Sequence, residues 1–265
     1  MSSPKPRTAQ LNAALWGARA NDWAEIQEGK CQGVYDAVFD RVGLQSGMTY
    51  LDAGCGAGLA GQLAAQRGAS VAGLDASPNL LTIARELTPA GDFYAGDLES
   101  LPFADSMFDL VTGFNSFQFA GNPGAALSEA KRVAKPLAHV VIMTWGEPEG
   151  MQAAALATAL RPLLPSPPPG APGPFALSDE SALRAFATRV SLVPIEVFDV
   201  ESLWGYESLS IALRGLMSSG VAARAIAHSS ENAVRAAHEK ALQPFRQADG
   251  GYKIQASFRC LIARA

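Results

Sequence analysis

The sequence predicts a doubly wound α/β fold, a parallel sheet with crossover helices. Two observations carry that reading. From about residue 48 short β-rich runs alternate with amphipathic helical ones, and the first run leads through the glycine-rich stretch LDAGCGAGLAG, residues 51–61, directly into a helix. A chain of 265 residues has room for one such domain with a sizeable core and further structure beside it, not for a second full domain.

The elements follow in order. About forty leading residues read as helical and carry Trp16, Trp23 and Tyr35 among polar neighbours. Strands are then expected at MTYLDAG, ASVAGLDA, GDFYAGD, FDLVTGFN and HVVIMTWG. Between them helices run from Leu59 to Arg67, stopped by Gly68, from Pro78 to Leu87, and from about Pro123 to Ala134. Ser77 is the expected N-cap of the second, with Pro78 in its first turn. Beyond residue 147 the alternation changes. An alanine-rich helix from Met151 to Leu164 leads into PLLPSPPPGAPGPF, a semi-rigid connection, and Ser178 then caps another helix. VPIEVFDV is a sixth strand and GYKIQASFRCLIAR a closing one. Residues 206–248, helical and too long for a connection, are expected to form a lid. The organisation is thus a helical cover over 1–47, a core over 48–146, and the rest of the sheet with its lid insert over 147–265.

Composition excludes some classes of function. The net charge of −4 and the lack of Lys/Arg clusters leave no footprint for a nucleic-acid backbone, so no nucleic-acid partner is expected. No stretch reads as a signal peptide or an uninterrupted membrane span, and the chain is read as cytoplasmic. Cys31, Cys55 and Cys260 form neither a C-x-x-C pair nor an even set, so neither disulfides nor a metal site is expected.

The glycine loop satisfies two patterns at once. Gly54, Gly56 and Gly58 make G-x-G-x-G, while Gly56, Gly58 and Gly61 make the G-x-G-x-x-G of dinucleotide sites. Asp52, just before the first glycine, would repel a pyrophosphate and attract an ammonium or sulfonium. Asp75 ends the second strand, where a carboxylate can accept both hydroxyls of a ribose. Asp97 ends the third, where it can accept from an adenine amino group while Leu98 packs on the ring. The plainer reading of Asp75 or Asp97 taken singly is a capped or solvated loop residue; together with Asp52, at three successive strand ends, they read as one nucleoside site.

With LDAGCGAG, GLDAS, GDLESLPF, FDLVTGFNSFQFA and EAKRVAKPLAHVVIMTWG in this order, the chain resembles the class I S-adenosylmethionine-dependent methyltransferases, in the small-molecule branch similar to the ubiquinone/menaquinone enzymes. The resemblance is strong over residues 48–146 and looser beyond. It implies a Rossmann-like seven-stranded sheet with the last strand antiparallel, S-adenosylmethionine as cofactor and S-adenosylhomocysteine as product. It also implies that Asp52, Gly54, Gly56 and Gly58 hold the methionine part, Asp75 and Ala76 the ribose, and Asp97 and Leu98 the adenine. Asn115 would lie near the methionine moiety, with Trp16 or Trp23 closing over the cofactor. Gly61 is then a helix–strand packing residue. One departure is KPLAHVV, where the family carries a Gly-Gly pair after KP.

No residue stands out as a general base. His139 lies at the wrong end of the sheet for chemistry, Cys55 fits a crowded turn, and His228 in the late insert is the candidate, with His238 beside it. Phe117, Phe119 and Trp145, with Phe114, fall at the carboxyl ends of strands four and five, where they either line an acceptor pocket or fill the core. FNSFQFA lacks the Asn/Asp-Pro-Pro-aromatic motif of nucleic-acid amino methyltransferases, which points the acceptor toward small molecules. The expected function is methyl transfer to a small-molecule acceptor by in-line displacement. Two alternatives are a silent S-adenosylmethionine-binding protein and a nicotinamide-dependent oxidoreductase; the latter is weakened by Asp52 and by the missing Tyr-x-x-x-Lys.

Overall fold

The computed structural model describes residues 8–166 and 173–265; the first seven residues and the centre of the proline-rich connection lie outside it. The chain opens with α1 (Ala9–Gly17) and the single turn α2 (Ala20–Asp22), then a π-helical turn over Trp23–Gln27 and a 3-10 turn over Glu28–Cys31, before α3 (Gln32–Val42). The alternating part follows: β1 (Thr49–Ala53), α4 (Leu59–Gln66), β2 (Ser70–Asp75), α5 (Pro78–Leu87), β3 (Asp92–Ala95), β4 (Phe108–Phe114), α6 (Pro123–Val133) and β5 (Ala134–Trp145). The remainder is α7 (Ala153–Leu160), α8 (Glu180–Thr188), β6 (Val193–Tyr206), α9 (Leu209–Met217), α10 (Gly220–His228), α11 (Glu231–Leu242) and β7 (Tyr252–Arg264).

The strands form one seven-stranded sheet in the order β3-β2-β1-β4-β5-β7-β6, with β7 antiparallel to both neighbours. The order reverses between β1 and β4, and in such sheets ligands lie beyond the carboxyl ends of the strands at that reversal. Each face is covered by its own apolar layer. On one face α3, α4, α5, α7 and α9–α11 contribute Phe39, Ala64, Leu81, Leu156, Met217 and Val234 to a core with Tyr50, Val141 and Phe258. On the other, α6 and α8 bring Leu127, Val133, Leu183 and Phe186 against Leu51, Val111 and Ile142. Gly61 of α4 faces β2, where a Cβ would stand 3.2 Å from Val71 Cγ1.

Local chemistry accounts for most boundaries. Ser77 Oγ accepts the Leu80 N–H and Pro78 sits in the first turn of α5, as expected. The cap of α8, however, is Asp179, which accepts the Ala182 N–H at 2.7 Å. Ser178 is instead buried, its backbone carbonyl taken by the Arg259 guanidinium. Helix α6 stops one residue early because Ala134 is already extended and begins β5. The alanine-rich helix is shorter than its composition suggests, because Pro162 turns its end into a 3-10 turn. Strand β6 runs six residues past the expected segment, paired with β7 as far as Tyr206–Tyr252. Among the described residues no helix is long and apolar enough to cross a membrane.

Candidate functional site

The site lies beyond β1, β2, β3 and β4. Asp52 is the fourth residue of β1 and is buried. Its Oδ1 accepts the Thr112 hydroxyl at 3.0 Å from the neighbouring β4. Because that single proton is committed to the carboxylate, the Tyr50 hydroxyl, 2.7 Å from Thr112 Oγ1, is the donor in the next link. Burial pushes the Asp52 carboxyl up to about 7; the Thr112 bond opposes the rise and the nearby Asp75 charge adds to it.

The loop after Asp52 is held open for a tight turn. Gly54, Gly56 and Gly58 have φ of +87°, +55° and +91°, backbone that side-chain-bearing residues avoid. A Cβ on Gly54 would fall inside the Ser116 side chain, and one on Gly58 would stand 2.7 Å from Ala84 Cβ. The loop is therefore clamped between the end of β4 and α5. Asp75, at the end of β2, fixes it from a third side: its carboxylate accepts the Gly56 N–H at 3.0 Å and the Ser77 N–H at 2.8 Å. Burial also raises this carboxyl, against the pull of those backbone bonds. Ala76 beside it is partly exposed.

Asp97 follows β3. Its Oδ1 accepts the Glu99 N–H at 3.0 Å, but Oδ2 is buried without a hydrogen-bond partner among the described residues. A buried acceptor in that condition is costly unless a ligand satisfies it. Leu98 is half-buried against the α6 layer. Asn115, just past β4, holds a left-handed backbone at φ +53°, its N–H on Met143 O and its Oδ1 accepting from Gln118. Asparagine is among the side-chain-bearing residues that adopt this backbone most readily.

The leading helices cross the top of this arrangement. Thr8 and Asn12 donate side-chain hydrogen bonds to Phe119 O, and Asn79 Nδ2 donates to Gly17 O at 3.0 Å. Trp16 meets Trp23 edge-on with centroids 5.0 Å apart and Phe119 at 5.3 Å. Where a Cβ on Gly220 would stand, Trp16 lies 2.6 Å away, so α10 seats on the same indole. Sequence reasoning missed the most telling residue of this segment, Glu28. It is buried, its Oε1 accepts the Ala57 N–H at 2.9 Å, and that oxygen lies 2.7 Å from the position of a Gly56 Cβ. Burial pushes its carboxyl up to about 8, opposed by the Ala57 bond, with the Asp52 charge adding to the rise. The π-helical turn explains the miss. The Glu28 N–H bonds Trp23 O, an i→i+5 link that draws residues five apart together, where α-helical periodicity sets them on different faces. Ser116 and Thr112 were missed too, being single hydroxyls with no motif around them.

Of the other sequence candidates, Phe119 alone joins this arrangement. Phe117 is buried in the α6 layer, its ring against Gly113, so it is core. Phe119 belongs to the Trp16 cluster. Trp145 stacks on Phe258 at 5.1 Å, with Trp204 and Phe175 beside it, in the β5–β7–β6 part of the sheet. His228 is exposed in the last turn of α10. At about 1.5 Å per residue, roughly 12 Å of helix separates it from the Gly220–Trp16 contact. His139 pairs with Leu110 and Arg264, toward the amino end of β5. His238 is buried in α11 with both ring nitrogens unpartnered.

Residues 51–142 match the family model described as a methyltransferase domain. A demethylmenaquinone methyltransferase of Renibacterium salmoninarum is 37% identical over 111 residues, covering 42% of this chain and 47% of that one. A malonyl-[acyl-carrier protein] O-methyltransferase of Erwinia pyrifoliae is 34% identical over 147 residues, covering 54% and 55%. The chain thus spans about half the length of these curated relatives. Among solved structures, the [4+2]-cyclase SpnF aligns with a TM-score of 0.56 at 21% identity over 88% of this chain and 80% of that one. The YcgJ protein of a Bacillus aligns at 0.54 and 19%, over 87% and 98%. These two likenesses speak for the fold alone.

Proposed function

We propose that the chain is an enzyme carrying a methyl group from S-adenosylmethionine to a small-molecule acceptor by in-line displacement, a reading supported by the match of residues 51–142 to a methyltransferase-domain model. The observation that carries the reading is the unpartnered, buried Oδ2 of Asp97, in line with Asp75 and Asp52 at three successive strand ends. In this reading Asp97 takes the adenine amino group. Asp75 has two of its roughly four lone-pair sites filled by Gly56 and Ser77 N–H groups and offers the others to the ribose hydroxyls. Asp52, the glycine loop and Asn115 hold the methionine part, and Trp16 with Trp23 forms the roof.

The sulfonium supplies a methyl that is already a good electrophile. What falls to the protein is placement, which contributes roughly 7–11 kcal/mol in well-oriented reactions. The N-terminal segment excludes water from above, and the positions beyond β4 and β5 take the acceptor. The demethylated menaquinone in one relative's name fits a small-molecule acceptor; the malonyl group in the other's is anionic and carried on a protein.

Calorimetric titration with S-adenosylmethionine, S-adenosylhomocysteine and NADH tests the reading. The first two should bind and the third should not. Asp75→Ala and Asp97→Ala should each weaken S-adenosylmethionine by about tenfold, the loss expected for a buried hydrogen bond to a charged group. Unchanged affinity in both variants, or binding of NADH alone, would overturn it.

A further inference from the structure

Glu28 is a buried carboxyl that the displacement itself does not require. It accepts the Ala57 N–H where the glycine loop turns into α4. A ligand anion would seek that N–H, so the protein fills the position with a carboxylate of its own. The groups acting on Glu28 and Asp52 are Asp52, Asp75, Thr112, Trp23 and backbone N–H groups. Cys31 and Tyr35 also face Glu28, and Cys55 lies near all three carboxyls. No Lys, Arg or His is among them. The Trp23 indole N–H lies near the Glu28 carboxyl without completing a hydrogen bond. Buried carboxylates are ordinarily paired with a cation; among the described residues these have none.

We propose that Glu28 is the residue with which the N-terminal segment distinguishes S-adenosylmethionine from S-adenosylhomocysteine, by supplying the counter-charge to the sulfonium. The inference rests on the cofactor site proposed above. The two ligands share adenosine, ammonium and carboxylate and differ only in the methyl and its positive charge. In the transfer the carbon–sulfur bond breaks with its electron pair left on sulfur, the acceptor atom bonds the methyl, and the acceptor's proton passes to solvent. Glu28 and Asp52 then face a neutral thioether, and the charge pairing that favoured the methylated ligand is gone.

The test is the ratio of dissociation constants for the two ligands, measured by calorimetry at about pH 8.5, where a carboxyl raised to about 8 is ionised. Glu28→Gln keeps an oxygen for the Ala57 N–H and removes the charge. Wild type should prefer S-adenosylmethionine, and the variant should lose about tenfold of that preference, or about 1.4 kcal/mol, entirely through the sulfonium ligand. An unchanged ratio, including equal weakening of both ligands, overturns the proposal and leaves Glu28 a loop-shaping residue. If neither ligand binds wild type, the cofactor reading itself falls. Should the glutamine variant not fold, Glu28→Ala at the same pH decides: loss of the preference supports the proposal, an unchanged ratio overturns it.

Discussion

Leu137 stands at a backbone position built for glycine. It has φ +67° near the start of β5, where the pairing with β4 is irregular, and its side chain is 71% exposed. A left-handed non-glycine residue costs roughly 1–2 kcal/mol, and this side chain returns little burial in exchange. Leu137→Gly should therefore raise stability by about 1 kcal/mol, read as the urea midpoint at unchanged slope. The departure from the Gly-Gly pattern in KPLAHVV marks a strained turn, remote from the site. At this scale the sequence was legible wherever a residue's type is demanded by backbone conformation or strand position: the three loop glycines, and Asp52, Asp75 and Asp97 at their strand ends. It was illegible where the type is common and the partner distant. Nothing in the sequence singles out Glu28 among 25 acidic residues, and its link to Ala57 spans 29 positions.

Elements were legible by their periodicity and misjudged at their ends. The sheet, its crossover helices and the helical insert all follow from patterning. The overlong β6 did not, because its last six residues, ESLWGY, are stabilised by pairing with β7 rather than by a composition of their own. The acceptor pocket was likewise not readable, since Phe117, Phe119 and Trp145 sit at neighbouring strand ends yet face three different clusters. Within the insert, α11 carries a cost: His238 lies between Val234 and Leu242 on the buried face, its ring nitrogens unpaired, and burial lowers its pKa to about 4. The unfolded chain binds the proton from about pH 6.5 downward and the folded one only near 4. The stability this group contributes is present above pH 6.5 and lost as pH falls toward 4. His238→Leu should flatten that acid limb in thermal melts and raise stability at neutral pH by about 1–2 kcal/mol, a shift of roughly 2–8 °C for a chain of this size.

Over the whole molecule the leading helices and the insert α9–α11 are not appendages. Val38 and Phe39 of α3 share one apolar cluster with Tyr50 of β1, Met217 of α9 and Val234 of α11, so the cover cannot detach without opening the core. Urea unfolding should accordingly be a single transition, with tryptophan fluorescence and far-ultraviolet dichroism superimposable. Fluorescence samples both regions, since Trp16 and Trp23 report the cover while Trp145 and Trp204 report the far side of the sheet. Two separated transitions would show that the leading segment unfolds by itself. The sheet order carries a further consequence. The slot between β5 and β6 is filled by residues 252–264, so during synthesis on the ribosome β5 has one bare edge and β6 has no partner in the sheet until that strand is made. Open edges of this kind invite pairing with other chains. The strand that arrives after both of its neighbours is the one that makes the growing sheet safe from other chains.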